Sequence, residues 1–172
     1  MADDNRGSWT WKVSDRSANR DLNLLYEPGN WGDVLKGAWA VAAVRGLVLA
    51  RGLNTFRYLD PFAGAPAYPL VEAARKRLEG LTLGWFAEAQ APFVARGVLA
   101  STGMLVVETV RALGASVDAG VFDADAVRLA GWREVPGVRI LDTASGEEAL
   151  EAMARRAAPR GMPLDLILVA PY

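Results

Sequence analysis

Tyr58-Leu59-Asp60-Pro61-Phe62-Ala63-Gly64-Ala65 is the stretch on which the fold turns. Phe56 to Asp60 has the composition of a short strand, and Pro61 stops it. An acid at the strand tip followed by a glycine turn is a recurrent ligand-facing arrangement. Gly64 has no Cβ, so backbone can approach a bound group closely there. Asp60 can accept hydrogen bonds from an ammonium group or a water. A plain strand-to-helix turn carrying a surface Asp explains the same residues.

On the N-terminal side, Gly29-Asn30-Trp31-Gly32-Asp33 opens a helix with Asp33 as its N-cap. The apolar run from Val34 to Leu49 predicts a long, well-buried helix ending near Gly52, with Trp39 in the core. Residues 1–30 are polar around Trp9, Trp11 and Leu24-Leu25, and form an arm ahead of a single α/β domain, 31–172.

On the C-terminal side, Pro69 suits the first turn of a helix, continued by Leu70, Ala73, Ala74, Arg77 and Leu78. Residues 81–98 read either as a helix broken at Pro92 or as a loop. Ser101 or Thr102 caps a helix from Met104 to Leu113. A strand follows at Val117–Phe122, a short helix at Asp123–Leu129 and a strand at Val138–Leu141. Ser145 and Glu148 form a capping box for a helix through Arg156, and Leu164–Val169 is a last strand. This alternation predicts a parallel sheet with helices on both faces. In such sheets ligands bind beyond the carboxyl ends of the strands. The positions to watch are therefore 60–66, 122–125, 142–146 and 170–172.

Composition narrows the chemistry. The 172 residues contain no Cys and no His. Thiol catalysis, thiolate metal sites and imidazole-dependent hydrolysis are excluded, and no metal site is expected. Net charge is −1, from 19 Lys+Arg against 20 Asp+Glu, so no global field favours a nucleic-acid backbone. No apolar run approaches the ~20 residues of a membrane span. The start, Met1-Ala2-Asp3-Asp4-Asn5-Arg6, lacks the apolar region of a signal peptide, and a cytoplasmic protein is expected.

Three segments together resemble one family. They are Tyr26-Glu27-Pro28-Gly29-Asn30-Trp31-Gly32-Asp33-Val34-Leu35-Lys36, the Tyr58–Ala65 stretch, and Leu166-Ile167-Leu168-Val169-Ala170-Pro171-Tyr172. The first is similar to the G-N-x-A-D-V-L-K segment of the bacterial large-subunit rRNA adenine-N6 methyltransferases of the J type. The second resembles their Y-L-D-x-x-A-G-A-G cofactor loop, and the third the start of their D-P-P-Y motif. The resemblance implies a class I methyltransferase (Rossmann-like) sheet and S-adenosyl-L-methionine as cofactor. Asn30, Asp33 and Lys36 would then lie near cofactor and substrate. Asp60 and Gly64 would line the methionine end, and Ser101 would match the polar turn before the next helix. Asp123, by a small shift, would meet the ribose, and Asp142 the adenine amine. Pro171 and Tyr172 would close the target-base motif. Simpler roles stand beside these: a solvated helix start for Asp123 and Asp125, helix capping near Asp142, and a surface charge for Lys36.

The departures are specific. Pro66 replaces the loop's third glycine, which adds bulk and fixes φ. Ala170 replaces the acid that orients the target amine, and one proline is missing. The family continues past the position of Tyr172 with further strands, so an incomplete sheet is expected. Its edge strand, Leu166–Val169, is expected to pair with a second copy, another chain or the N-terminal arm. Three functions follow: an RNA adenine methyltransferase, a non-catalytic module on the same scaffold, and an unrelated α/β ligand binder.

Overall fold

The computed structural model describes residues 18–19, 24–25, 28–82, 84–160 and 164–169. Strands β1 (Ala18–Asn19) and β2 (Leu24–Leu25) form an antiparallel pair. Trp9 and Trp11 of the expected arm lie outside the described residues.

Helix α1 spans Trp31–Arg51. Its N-cap is Asn30, not Asp33: Asn30 Oδ1 accepts from the Asp33 N–H at 3.1 Å. Asp33 Oδ2 in turn accepts from the Gly29 N–H at 3.0 Å. The pair works as a capping box moved by one residue, and it satisfies amides that the helix itself leaves unpaired. Gly52, at φ 58, ends the helix in the left-handed conformation. Among the described residues, one face is buried, through Val34, Gly37, Ala40, Val41, Val44 and Val48. The sequence expectation of a buried Trp39 fails: Trp39 is exposed. An apolar run shows that a face can be buried, not that the chain has enough neighbours to bury every face.

Strand β3 (Thr55–Asp60) follows. Here the chain departs from the expected strand-turn-helix. Pro69 does not start a helix but ends strand β4 (Ala67–Pro69), and α2 begins only at Glu72, running to Glu79. Helix α3 (Gly84–Val94) accommodates Pro92 in its last turns without breaking. Strand β5 (Val98–Ala100) then pairs antiparallel with β4. Period-based reading missed this ribbon because each strand has only three residues.

The remaining elements lie close to expectation. They are α4 (Thr102–Ala112), β6 (Ser116–Val121), α5 (Ala126–Ala130), β7 (Val138–Ile140), α6 (Gly146–Arg160) and β8 (Leu166–Ile167). The main sheet has the order β7-β6-β3-β8, and every pairing is parallel. Phe56 and Tyr58 pack on one side with Ala40, Val44, Val106 and Val110 of α1 and α4. Leu59 packs on the other with Phe122, Leu141 and Ala149 of α6. The protein is thus α/β and Rossmann-like, with β8 beside β3 at the edge of the sheet. Among the described residues, no helix is long and apolar enough to cross a membrane.

A short edge strand such as β8 needs help to stay in register. Asp165 supplies it: its Oδ2 accepts from the Arg57 N–H at 2.8 Å, and its Oδ1 meets Arg51 Nη1 at 3.1 Å. The carboxylate is only 2% exposed, so removing it leaves the Arg57 amide without its acceptor, whereas Arg51, half exposed, turns to water. Asp165→Ala is expected to lower unfolding free energy in urea by about 1–3 kcal/mol, and Asp165→Asn by less, because the amide oxygen keeps the bond to Arg57.

Candidate functional site

The β3 tip carries the site. Strand alternation puts Tyr58 and Asp60 on the same face. The Tyr58 hydroxyl donates to Asp60 Oδ2 at 2.7 Å, and the Phe62 N–H donates to Asp60 Oδ1 at 3.1 Å. Both groups are buried. Gly103 makes room for them: a Cβ there would stand 2.7 Å from the Tyr58 hydroxyl and 3.0 Å from Asp60 Oδ2.

The turn beyond Asp60 is held from several sides. Gly64 adopts φ 60, which favours glycine. Its N–H donates to Asp123 Oδ2 at 3.0 Å, and its carbonyl accepts from Trp132 Nε1 at 2.9 Å. The Ala65 N–H donates to the Tyr68 hydroxyl at 2.9 Å. Pro66, the residue that departs from the family pattern, is buried, and its carbonyl accepts from the Ser101 N–H at 3.0 Å. The proline thus starts the ribbon and ties it to the head of α4. Gln90 of α3 clasps the neighbouring backbone. Its amide nitrogen donates to the Ala100 carbonyl at 3.0 Å, and its oxygen accepts from the Ala100 N–H at 3.1 Å.

Of the expected site residues, Lys36, Asp60 and Ser101 line one cleft, together with Asp33, Thr102 and Gly103. Lys36 Nζ meets Asp33 Oδ1 at 3.1 Å. Ser101 is the N-cap of α4, its Oγ accepting from the Met104 N–H at 3.2 Å. Gly64 and Asp123 sit behind the cleft, bonded to each other. The other oxygen of Asp123 accepts from the Asp125 N–H at 2.8 Å, so this acid organises the turn. Asp142 is exposed beyond β7 and does not line the cleft. Pro171 and Tyr172 lie outside the described residues. Among the described residues, no acidic cluster could hold a metal ion.

Sequence reading missed Tyr58, Gln90 and Trp132. Tyr58 was legible as the residue two before Asp60 on a strand. Gln90 and Trp132 reach the site only through the tertiary fold and carried no local signal.

Burial governs the electrostatics. Desolvation pushes the Asp60 carboxyl from 3.8 up to about 6. The hydrogen bonds from Tyr58 and Phe62 oppose this, the charge of Asp123 adds to it, and Lys36 opposes it. The folded chain therefore holds this proton more tightly than the unfolded chain does. Its stabilising effect is complete below about pH 4 and is lost as pH rises through about 6. A charged Asp60 at neutral pH costs the fold on the order of 3 kcal/mol.

The cleft encloses a cavity of about 30 Å³. That is room for a water or an ammonium group rather than for a nucleoside. It is lined by the buried Asp60 carboxylate, the Asp33–Lys36 ion pair and the residues that open α4, Ser101 to Gly103, so groups of both charges meet there.

No family model matches the chain, and no curated protein is detectably similar to it. Among solved structures, the crystal structure of protein LPL1258 from Legionella pneumophila str. Philadelphia 1, of family DUF519, matches with a TM-score of 0.55 at 15% identity. The match covers 74% of this chain and 52% of that one, so this chain spans about half the length of that structure. At this identity the likeness establishes the fold.

Asp60→Asn preserves both hydrogen bonds, since the amide can accept from Phe62 and donate to Tyr58. It is expected to be more stable than the parent chain by about 1–3 kcal/mol at pH 7.5 and equally stable near pH 4. Urea denaturation across that range tests this. A stability difference independent of pH would contradict the burial argument.

Proposed function

We propose that the chain binds S-adenosyl-L-methionine by its amino-acid end at the β3 tip, as a methyltransferase-fold protein related to the rRNA adenine-N6 methyltransferases. One observation carries this reading. A buried carboxylate that costs the fold stability at neutral pH stands at the carboxyl end of a central parallel strand, beside Lys36 and the head of α4. Groups that lower stability persist where they do work. In this reading Asp60 accepts from the ligand's ammonium. Lys36 and the residues at the head of α4 would face its carboxylate, and Gly64 shapes the turn beyond Asp60. The bound molecule would supply an activated methyl group. An RNA substrate implies a cytoplasmic site of action.

A second reading keeps the scaffold without the transfer. Two observations favour it: the small room at the β3 tip, and the commitment of both Asp123 oxygens to backbone amides. In sequence, Ala170 also stands where the family's orienting acid belongs. A fold alone does not guarantee activity.

Calorimetry with S-adenosylhomocysteine tests the shared core of both readings. Binding is expected at pH 7.5, weakened at least about tenfold by Asp60→Asn and falling below pH 6 as Asp60 gains its proton. No heat at millimolar ligand would overturn the assignment. Methyl transfer to large-subunit rRNA would then select the enzyme, and binding without transfer the module.

A further inference from the structure

We propose that the cleft between α1, α3 and α4 is a ligand site separate from the β3 tip. Its ligand is a small organic anion with a flat aromatic body and a carboxylate head. The cleft has a volume of about 520 Å³, the size of a small-molecule site. Among the described residues, it shares no lining residue with the cleft at Asp60. Trp85, Ala89 and Phe93 recur at helical spacing along α3 and form one wall. Val41 and Arg45, one turn apart on α1, and Thr109 of α4 line it from the other helices.

Two polar atoms mark the place of the head. Thr109 is only 4% exposed, and its hydroxyl has no hydrogen-bond partner among the described residues. A threonine inside a helix can return its hydroxyl to a carbonyl one turn back, and this one does not. The buried Nε of Arg45 has no partner among the described residues either. Folded chains satisfy nearly all their buried polar groups, so two orphans lining one cleft point to a group supplied from outside the chain. Guanidinium and hydroxyl can both donate, so that group must accept, and a carboxylate oxygen does.

The other cations of the cleft are already engaged. Arg111 meets Glu108 at 2.6 Å and donates to the Pro136 carbonyl at 2.7 Å. Arg96 donates to the Pro92 carbonyl at 3.0 Å and lies 5.0 Å from the centre of the Phe93 ring. With Glu88 on the same wall, three arginines stand against two glutamates. That single net positive charge suits one carboxylate better than a phosphate dianion. The body of the ligand is set by Trp85, which is 53% exposed, with the Arg45 guanidinium 4.8 Å from its ring centre. Its ring offers a flat apolar surface beside the head position, continued by Ala89 and Phe93.

Calorimetry on the full chain with 2-naphthoate is the test, with a Kd expected on the order of hundreds of micromolar. The neutral analogue 2-naphthamide should bind at least about tenfold more weakly. Thr109→Val separates ligand from fold. The hydroxyl has no partner to lose, so valine should leave the melting temperature unchanged or raise it, yet weaken naphthoate by about three- to tenfold. Arg45→Met keeps the aliphatic stem against Trp85 and should weaken naphthoate by at least about tenfold. No heat with naphthoate at about 10 mM would overturn the proposal, and so would equal affinity for the amide and the carboxylate. Binding indifferent to both substitutions would overturn it too, because the anion would then sit elsewhere, such as beside Lys36. A lowered melting temperature in Thr109→Val would show the hydroxyl employed within the fold and would remove the head position.

Discussion

The peptide of Gly64 is gripped from both ends, and the rest of the site depends on that grip. Asp123 takes its N–H and Trp132 holds its carbonyl. The left-handed turn is thereby fixed, and Asp60 is aimed away from the sheet and under the head of α4. The two gripping residues follow β6, whereas the turn follows β3. The grip is therefore available only when these neighbouring strands are in parallel register, with Asp60 beside Val121. Site and sheet form together.

That coupling explains where the sequence was legible. The tip of β3, the cap role of Ser101 and the lateral place of β8 rest on local chemistry or on fold-level rules, and they could be read directly. Asp33 reads as the cap of α1, whereas Asn30, three residues earlier, is the one used, because local sequence fixes helix boundaries poorly. The β4–β5 ribbon was hidden because three residues hold too little alternation. Trp39 misled for a deeper reason: hydrophobicity measures how much a surface gains from cover, and the cover can come from outside the chain. Trp132 and Gln90 belong to the site through contacts that span the sequence.

Asp60 sits at a balance between stability and chemistry. The cavity beside it is water-sized, and the carboxyl is shielded enough to titrate near pH 6. Tyr58 and Phe62 keep the ion tolerable without neutralising it. Pro66, which looks like damage when the loop is read against a glycine-rich pattern, has a structural task here. Its carbonyl joins the ribbon to Ser101, so the loop's bulk is used in shaping the cleft wall.

The clasp of Gln90 on Ala100 gives that wall a mechanical property. An amide side chain here replaces a missing strand, bonding both polar atoms of one residue. Ser101, the next residue, begins the cleft. Helix α3 is therefore geared to the mouth of the site through two hydrogen bonds and a single peptide link. A tilt of α3 cannot be absorbed by a slack loop. It must either break the clasp or change the aperture over Asp60.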